Sequence, residues 1–97
     1  TECHNQDKVS MGTIAARDAI RVLELTEQVA AATLLAAHQG VWLRSRDADA
    51  RPLPTALADM HAELAKDFAP VIEDRALEAE LRLCLARIAQ QHWRLHA

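Results

Sequence analysis

The stretch from Ser10 to Arg44 contains two glycines, Gly12 and Gly40, and no proline; the first proline is Pro52. Nothing in it forces a helix to stop, so the pattern predicts one helix of about 35 residues, roughly 52 Å long. Within it, Gln28 to Leu43 (QVAAATLLAAHQGVWL) carries no Asp, Glu, Lys or Arg. A helix that is apolar on nearly every side is a buried helix. A compact chain of this length is only about 30–35 Å across. The helix therefore overhangs any globule the chain could build, and two shorter helices cannot wrap its uncharged half. Leaving that half wet forfeits on the order of 25 cal/mol per Å². The expectation is a fragment of a larger helical protein, or an oligomer built through this helix. The chain starts at Thr1 without Met, so its first residues read as the middle of something longer.

The rest of the sequence is also helical in character. Twenty alanines and 13 leucines stand against one Phe and no Tyr, and β-branched residues are few, so the fold class is all-α. Residues 1–9 read as a loop, with Asp7 or Ser10 available to cap the long helix over 10–44. The small residues Gly12, Ala15, Ala16 and Ala19 would let a neighbouring backbone come close to its first turns. Residues 45–54 (SRDADARPLP, from Ser45) form a polar linker with two prolines. Residues 55–97 then hold two shorter helices. In the first, Thr55 can cap and Leu57, Met60, Leu64 and Phe68 repeat at helical spacing. The second starts near Asp74 and turns Leu77, Leu81, Leu85, Ile88 and Leu95 to one side.

Net charge is −3 with no basic stripe, which excludes an ordinary nucleic-acid binder. No run of 18 apolar residues exists, so no membrane span is expected. Two cysteines, Cys3 and Cys84, exclude a disulfide-dense secreted scaffold and point to a reducing, cytoplasmic setting.

Three blocks carry more specific information. The first is Glu2-Cys3-His4-Asn5-Gln6-Asp7-Lys8-Val9-Ser10-Met11-Gly12, running into Thr13-Ile14-Ala15-Ala16-Arg17. The second is Leu34-Leu35-Ala36-Ala37-His38-Gln39, and the third is Ile72-Glu73-Asp74-Arg75-Ala76-Leu77. In this order and spacing they resemble the aromatic amino-acid ammonia-lyase and aminomutase family, which includes histidine, phenylalanine and tyrosine lyases. The resemblance covers Thr1 to about Leu85. It implies an L-aspartase-like, mainly helical fold, of which residues 1–97 would be a C-terminal segment from a long-helix bundle. It also implies a homotetramer, completed by the rest of the parent lyase chain.

The implied chemistry is elimination of ammonia from a small-molecule aromatic amino acid, giving an arylacrylate; an aminomutase would add the amine back at the β carbon. The implied cofactor is MIO, a methylidene-imidazolone formed from an internal Ala-Ser-Gly, a triplet this sequence lacks. The segment alone is therefore expected to be inactive, and no catalytic residue is assigned within it. Three residues are carried over as substrate-binding. Gln6 falls where histidine lyases carry Glu and where phenylalanine and tyrosine lyases carry Gln. An acid suits an imidazole and an amide suits a neutral ring, so Gln6 argues for phenylalanine or tyrosine. Asn5 would organise the site. Glu2 falls near the substrate amine, where plant-type phenylalanine lyases and related aminomutases carry Glu. Lys8 departs from the apolar residue or His usual at its place, and nothing in the sequence explains it.

The remaining chemistry-bearing residues read as structural. Asp7 and Ser10 suit a helix start. Cys3 and His4 are adjacent and do not aim at each other, and Cys84 reads as a small core residue. His92 and His96 have metal-ligand spacing but no third ligand, so no metal site is expected. His38 reads as a hydrogen-bonded interior histidine, and Arg75, following Asp74, as half of a structural ion pair. The competing reading of the whole chain is a stand-alone helical interaction module that uses the uncharged run as its partner surface.

Overall fold

The computed structural model describes residues 11–93, and they form three helices: α1 (Gly12–Ser45), α2 (Thr55–Asp67) and α3 (Glu78–Ala89). No strand occurs among the described residues. The fold class is all-α. The molecule measures 69 × 33 × 24 Å, with a radius of gyration of 19.9 Å, against roughly 12–13 Å for a compact chain of this length. The long helix does overhang.

α1 is a spine, and α2 and α3 lie against one side of its C-terminal half. The core consists of Ala31 from α1, Leu64 from α2, Phe68 just after it, Cys84 from α3, and Trp93. Leu34, Leu35, Met60, Leu81, Leu85 and Ile88 pack around them. Ala31 and Cys84 are both fully buried, with the Cys84 Sγ 3.8 Å from the Ala31 carbonyl oxygen. Two small side chains facing each other let α3 sit close to the backbone of α1. The Phe68 and Trp93 rings meet at a tilt, 6.2 Å between centroids.

Trp93 reaches the core through a turn that propensities do not announce. After α3, Gln91 adopts a left-handed φ of 52°, and the Gln91 and His92 amides donate back to the carbonyls of Ile88 and Arg87, each at 3.0 Å. This is the paired-bond helix ending that usually employs glycine. It reverses the chain and delivers the indole onto Phe68.

One expectation holds and several are corrected. The uncharged run is not wrapped by its own chain, as expected: of it, only Ala31 and His38 are buried, while Val29, Ala36 and Leu43 stay exposed. The reason is geometric, since α2 and α3 reach one face only. The charge-bearing first half is not polar in compensation. Ile14, Ile20, Val22, Leu23 and Leu25 are all exposed there, and nothing described approaches Gly12, Ala15, Ala16 or Ala19. Leu57, read as part of the α2 stripe, is 58% exposed. Thr55 does not cap α2. Pro54, in an extended conformation, holds the cap position and its carbonyl accepts from the Ala58 amide, which leaves Thr55 inside the first turn. α3 starts at Glu78 rather than near Asp74, with Glu78 and Glu80 placed where the helix dipole favours acids. Asp7, Ser10 and Leu95 lie outside the described residues.

Phe68→Ala should destabilise the fold by about 3–5 kcal/mol, because it empties a filled core site. Leu57→Ala should change stability by less than about 0.5 kcal/mol. Denaturant titration of both variants checks the pair.

Candidate functional site

The three residues carried over as substrate-binding, Glu2, Asn5 and Gln6, lie outside the described residues. What is described is the helix end that follows them in sequence. α1 begins at Gly12; its cap, Met11, makes no side-chain hydrogen bond, and its first turn holds no acidic residue. The partial positive charge of the free amides there is uncompensated among the described residues.

The second and third sequence blocks meet each other in space, and they do so through the connector between α2 and α3. α2 ends as Phe68 turns extended ahead of Ala69-Pro70. The connector then crosses α1 as irregular backbone, so its polar groups need partners from outside. Gln39 supplies two: its Nε2 donates to the Val71 carbonyl and its Oε1 accepts from the Val71 amide, both at 2.9 Å. The side-chain amide thus reads the backbone as a neighbouring strand would. His38 Nε2 donates to the Phe68 carbonyl at 3.1 Å. Arg75 donates to the carbonyls of Ala69 and Pro70 at 3.0 and 3.1 Å. Its ion-pair partner is Glu80, at 2.8 Å, and not the adjacent Asp74. The pair spans the start of α3, at Glu78.

These contacts frame an open hollow of about 420 Å³, walled by Leu35, His38, Gln39, Phe68, Val71 and Leu81 among others. Its chemistry is that of packing. The lining is mostly apolar, and its one acid, Glu80, is engaged by Arg75. Burial pushes the His38 pKa below the ordinary histidine value; the Phe68 carbonyl opposes this and the nearby His61 adds to it. Burial likewise raises the Cys84 thiol, which makes it a poor thiolate source. His38 and Cys84 both behave as the interior residues expected. No group of three metal-ligating side chains exists among the described residues. His92 stands edge-on to Trp93, and His96 lies outside the described residues. The Gln39 clamp was not foreseen as a contact. Its signal was present, however, as an amide in an otherwise apolar run.

From Gly12 to Gln39 is 27 helical steps, roughly 40 Å. The described start of the spine, where the first block runs into α1 at Met11–Arg17, therefore stands far from the place where the other two blocks come together.

The family model for aromatic amino acid lyase matches residues 1–66. The chain belongs to the aromatic amino acid lyase family. It is 38% identical to the histidine ammonia-lyase of Caenorhabditis elegans over 93 residues, which is 93% of this chain and 13% of that protein. It is 36% identical to the histidine ammonia-lyases of Bos taurus and Homo sapiens, in each case over 94% of this chain and 13% of the relative. No solved structure matches. The chain thus spans about one-eighth of the length of these curated relatives. No described helix is long and apolar enough to cross a membrane.

Gln39→Ala should cost about 1–3 kcal/mol, because it orphans both polar groups of Val71. Gln39→Glu should fall between wild type and Ala, since a carboxylate still accepts from the Val71 amide but cannot donate to its carbonyl. Thermal unfolding orders the three, and faster exchange of the Val71 amide in the Ala variant locates the loss.

Proposed function

We propose that residues 1–97 are a C-terminal segment of an enzyme that eliminates ammonia from an aromatic α-amino acid. The observation that carries this is the family match over residues 1–66, which includes the block with Glu2, Asn5 and Gln6. In this reading residues 1–9 form part of the substrate site, and α1 is a bundle helix whose open apolar face is covered by other helices of a homotetramer. The exposed Val22, Val29, Ala36 and Leu43 support that covering, as wet apolar surface of this extent is costly.

The family's MIO group would supply an electrophile for the substrate amine, held by parts of the parent chain outside these residues. None of the 97 residues supplies it, because the sequence contains no Ala-Ser-Gly. What this chain supplies is binding. The Glu2 carboxylate pairs with the substrate ammonium, the Gln6 amide meets an uncharged ring, and Asn5 holds Gln6 in place. The positive end of α1, next in sequence to this block, favours negative charge developing during the elimination. On this chemistry phenylalanine or tyrosine is the substrate, with either release of the arylacrylate or re-addition of ammonia to give a β-amino acid.

A second reading, histidine as substrate, is favoured by the relatives, all of which are histidine ammonia-lyases. Assay of the full-length enzyme with histidine, phenylalanine and tyrosine, following arylacrylate and β-amino acid together, separates the readings. Gln6→Glu should lower kcat/KM for phenylalanine or tyrosine by about tenfold or more, and it should improve histidine relative to them. Glu2→Ala should raise KM for the amino acid, with the change in kcat/KM worth about 1–3 kcal/mol. Unchanged constants in both variants would remove the block from the substrate site.

A further inference from the structure

α1 and α2 meet through two histidine rings. His38 of α1 and His61 of α2 lie 4.6 Å apart between centroids, tilted by 45°. His38 is buried, and its Nε2 faces the Phe68 carbonyl. A carbonyl can only accept, so Nε2 carries the proton and Nδ1 carries the lone pair in the neutral ring. That Nδ1 is buried with no hydrogen-bond partner among the described residues, and so is Nδ1 of His61. A proton arriving on His38 Nδ1 enters a site with no acceptor facing it, beside a second imidazole ring.

The surrounding charges offer no compensation. From α2, His38 meets His61; from the connector, the Phe68 carbonyl; from α3, Glu80 borders the same hollow with its carboxylate on Arg75. The other acids of α2 and α3 are also engaged: Glu63 with Lys66, Asp67 with Arg87, and Glu78 with Arg82. Asp59 of α2 makes no ion pair among the described residues and is exposed to water.

We propose that the His38–His61 contact is a proton-operated latch, which holds α2 on α1 while the buried His38 ring is neutral and releases α2 on acidification. The sign follows from burial. His38 is held below the ordinary histidine value, so the unfolded segment takes up its proton first as pH falls through about 6.5. Stability from this contact is complete above that pH and is lost progressively below it. α3, which packs on α1 through Cys84 and Ala31, has no such pair and stays docked.

Hydrogen–deuterium exchange on the full-length protein tests this at about pH 7.5 and about pH 5.5, with rates corrected for the intrinsic pH dependence of exchange. The expected result is a loss of between about threefold and about tenfold in protection of the α2 amides at the lower pH, with α3 amides much less affected. His38→Gln, whose amide can still donate to the Phe68 carbonyl but does not titrate, should cut the α2 loss to less than about threefold. Unchanged α2 protection in the native protein, or an equal loss in His38→Gln, overturns the latch. If His38→Gln does not fold, the imidazole proton shifts of the native protein decide. Protonation of His38 only below the ordinary range, with α2 exchange rising in step, supports the latch; ordinary titration of His38 with α2 still protected overturns it.

Discussion

The described part of this chain depends on satisfying one stretch of irregular backbone. Phe68 to Val71 leave α2 and run across α1 without helix or sheet partners, at a place where water is partly excluded. Backbone groups buried in that state cost about 1–3 kcal/mol each when unmet. His38 and Gln39 meet three of them, with Gln39 taking both groups of Val71, and Arg75 holds the more exposed carbonyls of Ala69 and Pro70. Because α2 ends and α3 begins on this stretch, fixing it fixes where both helices leave and return. The core residues Leu64, Phe68, Cys84 and Trp93 then fall together on Ala31.

The same arrangement leaves α1 half dressed. α2 and α3 cover the face around Ala31 and His38, while Val22, Val29, Ala36 and Leu43 face the other way. The N-terminal half projects beyond both. A spine that is apolar on two faces and covered on one suits a chain that is about one-eighth of its relatives' length. The family to which it belongs also gives separate meanings to the three sequence blocks. Two of them lock the connector to α1. The described residues of the first block, from Met11 on, stand at the opposite end of the spine, about 40 Å away, at a helix terminus with its positive charge uncompensated among the described residues.

The helical class and the length of α1 were legible because they rest on local properties. Alanine and leucine favour helix wherever they sit, and the absence of proline between Ser10 and Pro52 permits an unbroken run. His38 and Cys84 were legible as interior residues because a lone polar or thiol group in an apolar run has to be buried among its own neighbours. The substrate-binding assignments of Glu2, Asn5 and Gln6 stand on the motif alone, since those residues lie outside the described part. What the sequence misjudged was direction. It treated Leu57 as core, and periodicity cannot say which apolar face receives a neighbour.

By itself, then, the sequence determined that the chain is helical, that one helix outgrows its own globule, and that its N-terminal block carries the lyase family's pattern. These follow from composition, spacing and motif, all readable along one dimension. Only the tertiary structure decided that Gln39 clamps Val71, that Arg75 pairs with Glu80, that Gln91 turns Trp93 into the core, and that His38 stacks on His61. Each of these contacts joins a side chain to a group whose position is set by how the helices pack, and no local preference encodes that choice.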